Sequence, residues 1–75
     1  MTKQLFDHIT IDPGVHFGKP VIAGTRVPVE LVVGKIAGGM TFAEVEREYD
    51  LAPAQVQAAL KYAAYLVAEE ELVFA

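Results

Sequence analysis

The spacing of apolar and polar residues changes near Pro28, from the short period of strands to the longer period of helices. Upstream, His8-Ile9-Thr10-Ile11 alternates polar and apolar, the pattern of a half-buried strand. Asp12-Pro13-Gly14 predicts a type II turn, with proline second and glycine third. The run Gly18-Lys19-Pro20-Val21-Ile22, the tight link Ala23-Gly24-Thr25 and then Arg26-Val27-Pro28 predict a small hairpin. Val21, Ile22 and Val27 are expected to face the helices, because a lone hairpin is marginal in water and must pack on something.

Downstream the period is helical. Val29, Val32, Val33 and Ile36 fall on one face of a helix over 28–38. Pro28 suits its first turn, and Gly38-Gly39 ends it by allowing a left-handed cap. Thr41 and Glu44 form a capping box for a helix over 42–49, with Met40 placed to staple onto Val45. Phe42, Val45 and Tyr49 are its expected buried face. Asp50-Leu51-Ala52 forms a three-residue turn, and Pro53 opens a third helix over 53–68, with Leu51 placed to staple onto Val56. Ala52 is a poor N-cap, so Ala52→Ser should stabilise the fold by about 1 kcal/mol.

Two apolar lines run along the third helix. Val56, Ala59, Leu60, Ala63 and Val67 form the expected core stripe. Ala58, Tyr62 and Tyr65 lie on nearly the opposite side, and one small core is not expected to face both lines. The second is therefore assigned to a dimer or partner surface. Glu69-Glu70-Glu71 opposes the helix dipole, so the helix should fray there. Residues 69–75 then read as an acidic-apolar tail. The whole is a single domain over 1–75, mainly α, with a β segment and turns over 1–28 and three helices behind it.

Seventy-five residues leave room for one small core, and with no cysteine there is no disulfide or thiolate metal site to staple it. The chain is nonetheless 53% hydrophobic, with a mean hydropathy of +0.34. That excess suits a surface kept for a partner, most simply a second copy. No stretch is long and apolar enough for a signal peptide or a membrane span, so no membrane partner and a cytoplasmic location are expected. Formal net charge is −4, which opposes any broad grip on nucleic acid. The charge is uneven: residues 1–40 carry four bases against three acids, and residues 41–75 carry two bases against seven acids. Contact with a polyanion must therefore be local.

Two helices joined by three residues, from Thr41 to about Leu60, have the layout of a helix-turn-helix, whose second helix can enter a DNA major groove. Thr41, Gln55, Gln57 and Lys61 are the candidate DNA-contacting residues. Glutamine can read adenine by paired hydrogen bonds, and lysine can meet guanine or phosphate. The competing reading is a trihelical scaffold whose polar residues are merely solvated. Gly18-Lys19-Pro20 lacks the spacing of a P-loop, and Arg26 is expected to hold carbonyls or a carboxylate in place. His8, His16, Asp7 and Asp12 match no metal-ligand pattern. Serine and cysteine are absent, and Glu44, Glu46 and Glu48 lie on a helix surface. No enzyme activity, metal or cofactor is expected.

The segment from Gly18 to Val29 reads GKPVIAGTRVPV and is followed by GGMTFAEVEREYDLAPAQVQAALKYAA. Together they resemble domain-of-unknown-function family 433, over roughly residues 9–65. Gly18, Lys19, Pro20, Gly24, Thr25, Arg26 and Pro28 carry the most specific part of the likeness, as a structural signature. The resemblance implies a three-helix, homeodomain-like helix-turn-helix bundle behind a short N-terminal β-hairpin, usually as a homodimer. It also implies the antitoxin half of a type II toxin–antitoxin pair, which binds a PIN-like ribonuclease toxin and represses its own operon. The stretch Glu69, Glu70, Glu71, Leu72, Val73 and Phe74 would then occupy the toxin's basic, apolar-rimmed groove. Ala52 stands where a Ser or Thr cap is expected. The alternative function is a dimeric protein-interaction module without DNA binding.

Overall fold

The computed structural model describes residues 2–69. Three short strands, β1 (Lys3–Phe6), β2 (Ile9–Ile11) and β3 (Val21–Ile22), form an antiparallel sheet in the order β1-β2-β3. Helices α1 (Val29–Ala37), α2 (Phe42–Tyr49) and α3 (Pro53–Glu69) follow. The fold is mainly helical, as the period change at Pro28 predicts. Ile9, Ile22, Val32, Val45, Val56 and Ala59 are fully buried at the junction of sheet and helices.

Strand β1 is absent from the sequence reading because its alternation is broken. Lys3 pairs with Ile11 and Gln4 with Thr10, but Phe6 pairs with Ile9, so the register slips at Leu5. Such a bulge spoils the period of two by which strands are recognised. The hairpin expected over 18–28 is reduced to a pinched pair. Ile22 N–H donates to the Val27 carbonyl at 2.9 Å, and Val21 bridges Pro28. The Asp12 turn closes through Val15 N–H at 2.9 Å, yet Gly14 does not take the positive φ that a type II turn requires. The Asp12 carboxylate accepts the Gly14 N–H at 2.8 Å instead, an Asx arrangement that dispenses with the left-handed residue.

Helices α1 and α2 are bounded by identifiable caps. Pro28 lies just outside α1 as its N-cap, not in its first turn. Gly39, at φ 111°, closes α1 in a Schellman arrangement, with Met40 N–H to Lys35 O and Gly39 N–H to Ile36 O, both at 3.0 Å. Asp50 takes the left-handed conformation after α2, and Leu51 N–H reaches back to Glu46 O at 2.9 Å. The capping box of α2 is complete: Glu44 N–H donates to Thr41 Oγ1 at 3.1 Å, and Thr41 N–H donates to Glu44 Oε1 at 2.9 Å.

These bonds, chiefly that from the Thr41 N–H, hold the Glu44 carboxyl below its ordinary value of 4.5. A depressed folded-state pKa stabilises the fold above the unfolded value, and the benefit is lost as pH falls through the folded value. Thermal unfolding should therefore lose Tm on acidification below about pH 4.5. Glu44→Gln should make that fall shallower, and an unchanged pH profile would show that the box contributes nothing.

Both apolar lines of α3 contribute to the core, Val56 and Ala59 from one and Ala58 and Tyr62 from the other, which corrects the expectation that only one line faces it. Ala58 and Tyr62 are buried, and only Tyr65 of that line is exposed. Phe6 of β1 packs its ring 5.5 Å from both Tyr62 and Tyr65. The second line is thus where Phe6 of β1 packs, and Ala58 and Tyr62, expected at a partner surface, are buried within the chain itself. Val67, expected in the core, is 69% exposed. Phe42 is also exposed, so α2 buries Val45 and half-buries Tyr49. The tail residues from Glu70 to Phe74 lie outside the described residues; Glu69 is the exposed last residue of α3.

Candidate nucleic-acid interface

Helices α2 and α3 are joined by Asp50-Leu51-Ala52, with Leu51 buried in the same core cluster as Val45 and Val56. One apolar residue inside so short a turn fixes the two helices against each other, as a helix-turn-helix requires. The four residues expected to touch DNA have different fates. Thr41 is committed to the capping box. Gln55 is half-buried, and its Oε1 accepts the Ala52 N–H at 2.7 Å, doing from the third helical position half the work of a capping box. Ala52→Ser would supply the other half and, by the scale of N-caps, raise stability by about 1 kcal/mol. No gain in Tm would show that α3 starts elsewhere.

Gln57 and Lys61 remain. Both are exposed, and among the described residues neither makes a side-chain hydrogen bond or ion pair. Four residues apart, they share one face of α3 with Ala54. With Phe6 of β1 and with Asp7 and His8 of the β1–β2 turn they line a cleft of about 130 Å³. Of the four expected residues, only these two keep an exposed side chain with no such bond among the described residues.

The signature residues build the loops that seat α1. Gly24, at φ 78°, sits in a turn clamped twice by Thr25, whose hydroxyl donates to Ile22 O at 2.8 Å and accepts the Val27 N–H at 3.0 Å. Pro20 O accepts the Val29 N–H at 3.0 Å, and Pro28 O accepts the Leu31 N–H at 3.1 Å, so both prolines direct carbonyls to the start of α1. Gly18 takes φ 82°, the last of three left-handed residues after His16 and Phe17. Lys19 pairs with Glu30 at 2.7 Å on the surface. Arg26 does not anchor carbonyls or a carboxylate as expected: it is exposed and makes no such bond among the described residues.

An apolar groove of about 550 Å³ lies between α1 and α3, with Val33, Gly34, Leu66 and Val67 in its lining. No sequence pattern predicts it, since Val67 is counted with the core by periodicity alone. Among the described residues no three His, Asp or Glu side chains lie together as a metal site. No described helix is long and apolar enough to cross a membrane.

Residues 9–63 match the family DUF433, described as a protein of unknown function. The chain belongs to that family. The matched span runs from the first residue of β2 into α3, so the DUF433 unit includes the clamped turn, the helix-turn-helix and both Gln57 and Lys61. Among solved structures, the X-ray crystal structure of Rv2018 from Mycobacterium tuberculosis is similar, at 36% identity and a TM-score of 0.64. The similarity covers 69% of this chain and 24% of that one, so this DUF433 chain spans about a quarter of the solved relative. No curated protein matches.

Proposed function

We propose that this chain is the antitoxin component of a type II toxin–antitoxin system, which holds a PIN-like ribonuclease toxin and contacts operator DNA through its helix-turn-helix. The reading is carried by the solvent face of α3, where Gln57 and Lys61 stand exposed and unpaired on a helix whose angle is fixed by Leu51. Gln57 supplies a donor and an acceptor that can pair with adenine in the major groove, and Lys61 supplies charge for phosphate or guanine. The chain does no chemistry on what it binds. It acts as a non-enzymatic adaptor in the cytoplasm, working as a homodimer so that two α3 helices meet two half-sites.

The direct test is binding to the DNA upstream of its own gene, compared with a scrambled duplex. Preference for the upstream DNA is expected, and equal binding to both would sink the operator reading. Gln57→Ala should lower that preference by about 1–3 kcal/mol, the worth of one bidentate base contact. Lys61→Ala should weaken binding to all sequences and reduce the salt slope by about one.

The second reading, a protein-interaction module without DNA binding, is favoured by the groove between α1 and α3. It predicts no salt-dependent DNA binding and a complex that Leu66→Glu disrupts.

A further inference from the structure

Strand order brings two separate loops to the same end of the sheet. Because β2 lies between β1 and β3, the Asp7-His8 turn leading into β2 and the chain leaving β3 emerge side by side. Ile9 pairs with Ile22, and the Ala23 N–H donates to the His8 carbonyl at 2.7 Å, so the second loop is pinned to the first. The Asp7-His8 turn in turn borders α3 at Ala54, Gln57 and Lys61. Arg26 therefore projects from a loop fixed to the turn that flanks the exposed face of α3.

The turn that carries the arginine has its backbone clamped on both sides. Thr25 ties Ile22 to Val27 with its hydroxyl, and its own N–H donates to Ile22 O at 3.0 Å. A charge on a rigid turn loses less freedom on binding than one on a mobile loop. Arginine's planar fork also suits the oxygens of a phosphate. Among the described residues Arg26 makes no ion pair, a state it shares with Lys61 on the neighbouring face of α3, whereas Lys19 is paired with Glu30.

We infer that Arg26 is a phosphate contact on the DNA face of this domain, gripping the backbone beside the groove that α3 enters. The inference rests on the DNA reading proposed above and extends it to a residue outside the helix-turn-helix. It also gives the N-terminal sheet a role as the platform for a second, sequence-independent contact, of the kind that sets register on the duplex. Asp7 shares this end of the sheet and works against it, because its carboxylate repels the same phosphates.

The test uses the whole chain and a fluorescein-labelled mixed-sequence DNA duplex, with anisotropy followed across a series of salt concentrations. The slope of log affinity against log salt reports the number of phosphates contacted. Arg26→Gln should reduce that slope by about one, Arg26→Lys should keep it, and Asp7→Asn should raise affinity severalfold. The Tm of Arg26→Gln should equal that of the unaltered protein. A slope unchanged in Arg26→Gln, while the unaltered protein binds, overturns this inference alone. Failure of the unaltered protein to bind the duplex even at low salt overturns the operator reading, and this inference with it. A Tm lowered by both arginine variants would assign the residue to the fold instead.

Discussion

Tyr62→Ala should cost about 3 kcal/mol or more, the scale of truncating a buried aromatic ring. In a domain of this size each kcal/mol moves Tm by roughly 4–8 °C, so a fall of about 12 °C or more is expected. The reason is the position of the ring. Tyr62 is 5% exposed, packs its ring against that of Phe6 with centroids 5.5 Å apart and a tilt of 54°, and its phenol pKa is pushed up by burial, with Tyr65 nearby adding to the shift. Total stability for 75 residues is only about 4–11 kcal/mol by the usual per-residue range, so the loss takes a large share of it. A surface tyrosine held for a partner would give the opposite result: Tyr62→Ala would leave the isolated chain's Tm unchanged while weakening self-association.

Leu51→Ala should be similarly severe, at about 2–5 kcal/mol by the range for buried leucine. Leu51 is 6% exposed although it lies in a turn, and it joins a cluster with Val45 of α2 and Val56 of α3. Removing its side chain leaves a void where the two helices are locked, so chemical unfolding should show a lower midpoint. In the fraction that stays folded, DNA affinity should fall although Leu51 is not at the exposed face. Full stability in Leu51→Ala would mean that the α2–α3 angle is set elsewhere, and the helix-turn-helix would lose its structural basis.

The parts of this fold legible in sequence are those fixed by local rules. Thr41 and Glu44 announce their capping box because both partners lie within one turn, and the two glycines after Ala37 mark an end that needs a left-handed residue. The first 28 residues are harder to read because their order depends on distant pairing. Lys3 through Phe6 have no clean alternation once the bulge at Leu5 is allowed, and β3 is only two residues long. The same dependence explains the misassigned stripe on α3. Periodicity finds two apolar faces but does not reveal that Phe6, more than fifty residues upstream, covers one of them.

The candidate site divides in the same way. Gln57 and Lys61 are picked out by their place on a helix after a three-residue turn. Gln55 looks equivalent in sequence, and the Glx at its position, three residues after Ala52, is the one signal for its capping role. The exposure of Arg26 carries no sequence signal of its own, since an arginine between two turns serves equally well as an internal anchor.

The most direct test of the antitoxin reading is recovery of the tagged chain from its own source cells, with identification of what co-purifies. The account predicts a ribonuclease-like protein in near-equal amount, silent in the complex and cleaving RNA once the two are separated. Recovery of the chain with copies of itself alone would contradict it.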